Sequence, residues 1–321
     1  MTKLSRLTKP TLDQAKEFFA WNIEKTSVFG HDGRELKGWS EFRSSKGNTL
    51  HVGNDSYCPA QPGKALEIAI DALNQIDQPW TVESVGSFGN DANIFAQFKV
   101  GEDSTFKVNG KDVNNLITMA KGNDETLPLD FWDTFIYIIC QNSFRHALCL
   151  RSESTVRATL KQSKNSDQRI NKVAEKLVYL LTEQQAVKEE LVKLSTVRCS
   201  TEEAEKAFLG LLKLTLGSGE IEFGKTGKTR LTNSLERYKN GFTNSPGVLG
   251  QTREDWLNAV TWVDTHGNTE SKRFDADKQF VSSEFGSRSQ RKSRAFEVAI
   301  NQDSWNEVVS RGGEIRSALL V

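Results

Sequence analysis

Between Thr81 and Leu150, four short β-prone runs separated by turn residues lead into Phe131–Cys140, a stretch that is apolar with few gaps. Thr81–Ser87 and Asn93–Val100 flank Phe88-Gly89-Asn90-Asp91, and Phe106–Val108 and Val113–Ala120 flank Asn109-Gly110-Lys111-Asp112. Gly, Asn and Asp tolerate the positive φ that tight hairpins demand, so both junctions predict antiparallel pairs. The Phe131–Cys140 run suits a strand or helix buried on both faces. Gln141–Leu148 continues it in a helix-compatible pattern, which predicts a helix closing the sheet. No catalytic motif falls in this core, so its chemistry has to come from shape and charge.

A chain of 321 residues can bury a sizeable core as one large domain or two smaller ones. Lys plus Arg and Asp plus Glu both number 42, so only clustering of charge can point to a partner. Cys58, Cys140, Cys149 and Cys199 are scattered with no C-x-x-C pair, as in a reducing compartment. Met1–Ala20 carries charges throughout, and no uncharged apolar run nears the ~20 residues of a membrane helix. A soluble, cytoplasmic protein with no membrane partner is expected.

Thr11-Leu-Asp-Gln14 is a capping-box pattern ahead of a short helix over Ala15–Trp21. Gly30-His31-Asp32-Gly33 reads as a turn, Ser40–Ser44 and Thr49–Val52 as strands. Lys64–Ile76 reads as a helix that turns Leu66, Ile68, Ile70 and Leu73 inward. After Leu150 the pattern becomes helical. Ile170, Val173, Leu177, Leu180, Val187, Leu191 and Leu194 follow steps of three and four, with Gln184 out of place. Such a seam either packs on its own domain or pairs with another copy, and an exposed one predicts a homo-oligomer. Ser200-Thr-Glu-Glu203 caps a helix through Leu214. Further helices follow from about Leu231, over Arg253–Asp264 after Thr252, and from Arg294. The fold class is therefore α+β: an antiparallel, hairpin-rich sheet closed by helices in the N-terminal half, and an α-rich C-terminal half. The expected division is 1–150 and 151–321, the second mostly helical with basic loops and packed on the first as one compact unit.

Gly219-Glu-Ile-Glu-Phe-Gly224-Lys225-Thr226 fits the letter of a phosphate-binding loop. That loop must follow a buried strand, whereas the helical Ala207–Leu214 precedes this one. Glu220 and Glu222 would also stand where phosphate charge belongs, so the match is read as chance and no cofactor is implied. His146 and Cys149 would share a helix face, but two ligands do not make a zinc site. No nucleophile elbow is present, and carboxylate pairs such as Glu202-Glu203 fall on solvated helix faces, which leans against an enzyme.

Charge clustering says more. Arg145, Arg151, Arg157, Lys161, Lys164, Arg169 and Lys172 face only Glu153 and Asp167 in their segment. Arg288, Arg291, Lys292 and Arg294 stand among Ser and Gly with no acid, and Lys225, Lys228 and Arg230 form a third group. Basic residues spaced with Ser, Thr and Asn bind a phosphate backbone without reading sequence. The first two groups are the candidate nucleic-acid-binding residues. Trp80, Phe88 and Phe285 are candidates for base stacking. The bland alternative is a solvated face.

Several segments, in order, carry a family resemblance. They are Gly47-Asn-Thr-Leu-His-Val52 with Tyr57-Cys-Pro-Ala60, Thr134-Phe-Ile-Tyr-Ile-Ile-Cys140-Gln-Asn-Ser143, and Asn258-Ala-Val-Thr-Trp-Val-Asp264-Thr-His266. Phe285-Gly-Ser287 follows, with Lys292 and Ala295. Over roughly Val28 to Ile300 the chain resembles the phage/plasmid-like proteins, domain of unknown function 932. It departs from them at Ser143, where Thr is commoner, and at the reduced segment Lys121-Gly-Asn-Asp124-Glu. The resemblance implies a protein of a mobile element, carried by a phage or plasmid, and no established activity. By fold-level analogy the expected function is binding of single-stranded DNA in a basic groove, as in single-strand annealing recombinases, with homo-oligomers and no metal. The alternative is a phage protein-interaction module that binds or inhibits a host protein. A nucleotide-dependent enzyme using the Lys225 loop stands third.

Overall fold

The computed structural model describes residues 4–124, 127–137, 142–145, 158–160, 170–216, 225–266 and 275–320. The chain forms two compact units interleaved along the sequence, not divided at Leu150. The first holds Met1–Ser104, Asn115–Asp133 and Thr155–Glu183; the second holds Thr105–Asn114, Thr134–Ser154 and Gln184–Val321.

In the first unit, β1 (Ser5–Thr8) is followed by α1 (Leu12–Phe18). The capping box forms as expected: Gln14 N donates to Thr11 Oγ1 at 3.2 Å, and Thr11 N donates to Gln14 Oε1 at 2.9 Å. The helix starts at Leu12 and stops at Phe18, short of Trp21. Strands β2 (Ile23–Phe29), β3 (Glu35–Ser44) and β4 (Thr49–Asn54) form a three-stranded antiparallel sheet. Here β2, and β3 before Ser40, went unread, because their residues are mostly exposed and polar. Helix α2 (Pro62–Asn74) buries Leu66, Ile68, Ile70 and Leu73, as expected.

The second, eight-stranded sheet contains β5 (Trp80–Phe88), β6 (Asn93–Val100), β7 (Thr105–Val108) and β8 (Lys111–Gly122). It also contains β9 (Leu129–Tyr137), β10 (Asn142–Arg145) and β11 (Ala158–Leu160). Its order is β1-β5-β6-β8-β9-β10, with β7 on β8 and β11 on β9. Both turns read from the sequence are present. Asn109 and Gly110 have φ of +49° and +76°, so Lys111 already lies in β8 and pairs with Val108. Gly89, Asn90 and Asp91, all at positive φ, join β5 to β6.

The closing helix expected after Phe131 is not observed. Leu129–Tyr137 is a strand, and Asn142–Arg145 is another that pairs back on it antiparallel. A run buried on both faces carries no periodicity to separate helix from strand. The aromatic and β-branched content of Phe131, Trp132, Thr134, Phe135, Ile136 and Tyr137 favours the strand. Residues 146–150 lie outside the description. Strands β8 and β9 and helix α3 (Ile170–Leu194) each run from one unit into the other.

In α3, Leu177, Leu180, Val187, Leu191 and Leu194 are all buried, and so is Gln184. These seam residues are covered within the chain, and the side chains of Ile170 and Val173 lie outside the described residues. The second unit is built on α4 (Thr201–Leu216), α5 (Lys225–Asn244), α6 (Arg253–His266), α7 (Ala276–Phe285), α8 (Ser287–Ile300) and α9 (Gln302–Leu320). The basic stretch after Gly286, expected as loop, is the first half of α8. Arg and Lys are good helix formers, and the buried Ala295, Phe296, Val298 and Ala299 anchor that helix. Three aromatic rings form the centre of this core. Phe208 stacks on Trp256 at 5.6 Å, and Trp256 meets Trp305 edge-on at 5.0 Å. Among the described residues no helix is long and apolar enough to cross a membrane.

Candidate anion-binding cleft

Helices α5, α6 and α8 pack together in the second unit and leave a small cleft between them. Ser234, Arg237, Tyr238, Val263, Asp264, Arg288 and Arg291 line a volume of about 140 Å³. The cleft is built from the core outwards. Tyr238 is buried because its ring stacks on Phe208 at 5.3 Å, which holds its hydroxyl at the cleft floor. On α6, Asp264 is also buried. Arg291 Nη1 donates to Asp264 Oδ1 at 3.1 Å and to Tyr238 Oη at 2.9 Å, and Tyr238 Oη lies 3.3 Å from Asp264 Oδ1. Burial pushes the Asp264 carboxyl up from its ordinary range, against the opposing pull of Arg291, Lys292 and Arg288. Burial, with Asp264 alongside, likewise pushes the Tyr238 hydroxyl up.

The other two arginines are less committed. Arg288 Nη1 donates only to the Asp264 main-chain oxygen, at 3.5 Å. Arg237 is exposed and has no ion pair among the described residues. Arg230, Ser234 and Arg237 recur at i, i+4 and i+7, one face of α5, and Arg288 and Arg291 are one turn apart on α8. Cationic stripes from two helices thus converge on the cleft, with Asp264 its single carboxylate among the described residues. Guanidinium forks match phosphate and carboxylate oxygens in geometry as well as charge. The larger depression lined by Leu7, Thr8, Pro10, Gln14, Glu17 and Phe18 contains no cation.

Of the residues expected to bind nucleic acid, Arg288 and Arg291 meet in the cleft. Lys292, on the same helix, is 1% exposed; its ammonium lies 2.9 Å from Ser283 Oγ and 3.4 Å from Glu284 Oε1. Arg294 pairs with Glu297. Arg145 and Lys172 lie on β10 and α3, and their side chains fall outside the described residues. Arg151, Arg157, Lys161, Lys164 and Arg169 fall outside them altogether, as do His146 and Cys149. Lys228, half-buried, and Arg230, exposed, lie on α5 and belong to the third basic group. Arg237, Tyr238 and Asp264 were missed as site residues. The spacing of Arg230, Ser234 and Arg237 was the available signal, and Asp264 was legible only inside a motif shared with the resembling family.

Two of the three stacking candidates are not exposed aromatics. Phe88 is buried, Trp80 is half-buried with its indole N–H donating to Asn74 Oδ1 at 3.1 Å, and the Phe285 side chain lies outside the description. The phosphate-loop match cannot be followed through 219–224, which lie outside the description, but the described element before it is helix α4. Among the described residues no group of three or more His, Cys, Asp or Glu could hold a metal ion.

No curated protein and no solved structure matches the chain. The model of one family, described as Domain of unknown function (DUF932), matches residues 49–303, a span that includes every residue of the cleft. The chain belongs to that family.

Proposed function

We propose that this is a DNA-binding protein of a phage or plasmid, which holds single-stranded DNA by its phosphates in the manner of single-strand annealing proteins. The observation that carries the reading is the convergence of Arg237, Arg288 and Arg291 on one cleft, with most of their donors unspent. A volume of about 140 Å³ is below the ~300 Å³ at which small-molecule pockets begin, so the cleft suits one phosphate group and not a nucleoside. Arginines that contact phosphate alone hold a strand without reading its bases. Arg230, further along the cleft face of α5, extends the cationic track beyond a single contact.

The test is fluorescence anisotropy of a labelled single-stranded oligonucleotide with the whole chain. One phosphate in the cleft and a second beside Arg230 give a salt slope near −1.4, so affinity should fall roughly 7-fold between about 50 and 200 mM salt. Replacing Arg237 and Arg288 by Ala should weaken binding and flatten that slope by about 0.7. Absence of binding at micromolar protein, or a double variant that binds like the parent, overturns the proposal.

A second reading, a protein-interaction module for a host partner, has its own observation. On the three-stranded sheet Phe29, Leu36, Trp39 and Val52 are exposed, and Trp39 and Val52 are diagonal neighbours on one face. Capture of a host protein that is lost with Trp39→Ser, in a chain that ignores DNA, would favour it.

A further inference from the structure

We infer that the cleft recognises a phosphomonoester, the kind of phosphate found at a strand end, and discriminates against internal phosphodiesters and other fully ionised oxyanions. This deepens the DNA-binding reading and rests on it for the source of the phosphate. Two buried atoms at the cleft residues have no hydrogen-bond partner among the described residues. Asp264 Oδ2 is an acceptor lacking a donor, on a side chain only 3% exposed. Arg291 Nε is a donor lacking an acceptor. Orphaned buried polar atoms are costly, and two of opposite kind beside one cationic cleft define the complement of a ligand. It should accept from guanidinium N–H groups at several oxygens and donate one hydrogen bond to a carboxylate.

An anion with that mixture is a phosphate that retains one proton. A phosphomonoester has a second pKa near 6, so close to neutrality it can keep a P–OH at little cost. A diester within a strand has no such hydrogen, and sulfate has none near neutral pH. Against either of them the Asp264 carboxylate presents charge repulsion and an acceptor still unmatched. With a monoester the proton lies between phosphate and carboxylate. Burial, which already disfavours the ionised form of Asp264, makes that sharing easier. Arg237, Arg288 and Arg291 offset the charge on the remaining oxygens. Glu284 is the other acid near this end of α8, and Lys292 holds it. Ser234, on the cleft wall, is a further hydroxyl within the lining. The Arg237 guanidinium, exposed at the rim, can close over the bound group.

The experiment is calorimetric titration of the full chain with sodium phosphate and with sodium sulfate, at matched ionic strength and near neutral pH. One hydrogen bond to a charged group separates the two by about 10- to 100-fold, with phosphate the tighter. Sulfate binding as well as phosphate, or neither binding at millimolar concentration, overturns the inference. In Asp264→Asn the side-chain amide can donate, so the preference should collapse towards unity. Because that variant alters a buried group, Arg237→Ala serves as the second one. Exposed and unpaired, it should keep the melting temperature of the free protein and lose at least half of the phosphate-induced rise. A phosphate-induced rise unchanged in Arg237→Ala overturns the assignment to this cleft.

Oligonucleotides identify the source. A strand with a terminal phosphate should bind about tenfold tighter than the same strand with hydroxyl ends. Equal binding of the two strands leaves the DNA reading standing and overturns the monoester. A phosphate-over-sulfate preference with no oligonucleotide binding overturns the DNA reading instead and leaves a site for small phosphomonoesters.

Discussion

Lys111→Ala is expected to lower the stability of the second unit by about 3–5 kcal/mol, measured by urea unfolding followed by circular dichroism. The Lys111 ammonium lies 2.7 and 2.9 Å from the two oxygens of Glu254 and 3.5 Å from Asp255 Oδ1. The lysine side chain is 4% exposed and both acids are 0% exposed, so the cluster is dry. The acids open α6, where the helix N-terminus favours negative charge. Asp255 also accepts N–H groups of Leu249, Gln251 and Thr252, and Glu254 accepts one from Asn258 Nδ2. The aliphatic stem of Lys111 lies against Gly247, whose φ of +79° lets the loop before α6 turn beneath it. This cluster therefore ties the β7–β8 turn to the start of the helix that carries Asp264. Removing the cation leaves two buried carboxylates sharing none of its charge. Lys111→Met combined with Glu254→Gln removes one charge of each sign and should recover most of the loss. A cost below about 1 kcal/mol for Lys111→Ala would show that the cluster is solvated in solution.

What the sequence made legible depends on how local the cause is. Asn109-Gly110 is a turn because of its own two residues, and the capping box at Thr11 needs only Gln14, so both were readable. The three-and-four spacing of α3 marked a helix, but whether its seam met the same chain or a second copy was a tertiary fact. Leu177, Leu180, Val187, Leu191 and Leu194 are buried within the chain. Phe131–Tyr137 was open between strand and helix for the opposite reason, since a run buried on both faces has no polar side to set a period. The basic stretch after Gly286 looked like loop because Ser and Gly dominated the eye, whereas Ala295 to Ala299 downstream decide its helix. The cleft was the least legible feature. Tyr238 and Arg291 are 53 residues apart, and Asp264 is 27 residues from Arg291. Their meeting depends on how three helices pack, which net charge and local clusters do not encode. Of the basic candidates after Gly286, Arg288 and Arg291 line the cleft, while Lys292 turns inward and Arg294 pairs with Glu297.

Two adjacent glycines in α9 should respond to the same substitution with opposite sign. Helices α4 and α9 run antiparallel in close contact, with Gly210 opposite Val308, Lys206 opposite Gly312 and Glu202 paired with Arg316 at 3.1 Å. Each step is one helical turn, so the two small residues let the backbones approach where a side chain would hold them apart. A Cβ placed on Gly312 would overlap the Lys206 main-chain oxygen, and one on Gly210 would overlap that of Val308. Neither neighbour is a flexible side-chain end, so the helices themselves must separate. Beside this contact Trp305 donates its indole N–H to Glu203 Oε1 at 2.6 Å and meets Trp256 edge-on, so separation would also disturb the aromatic core. Gly312→Ala is therefore expected to cost about 2–3 kcal/mol, although alanine is by itself the better helix former. Gly313 is half-buried, and a Cβ there would find nothing closer than Lys206 Cδ at 4.0 Å. Gly313→Ala should then show only the helix-propensity gain, a stabilisation of about 0.5–1 kcal/mol. The pair can be read in one set of thermal melts. Equal shifts of the same sign in both variants would mean that α4 and α9 do not make this contact in solution.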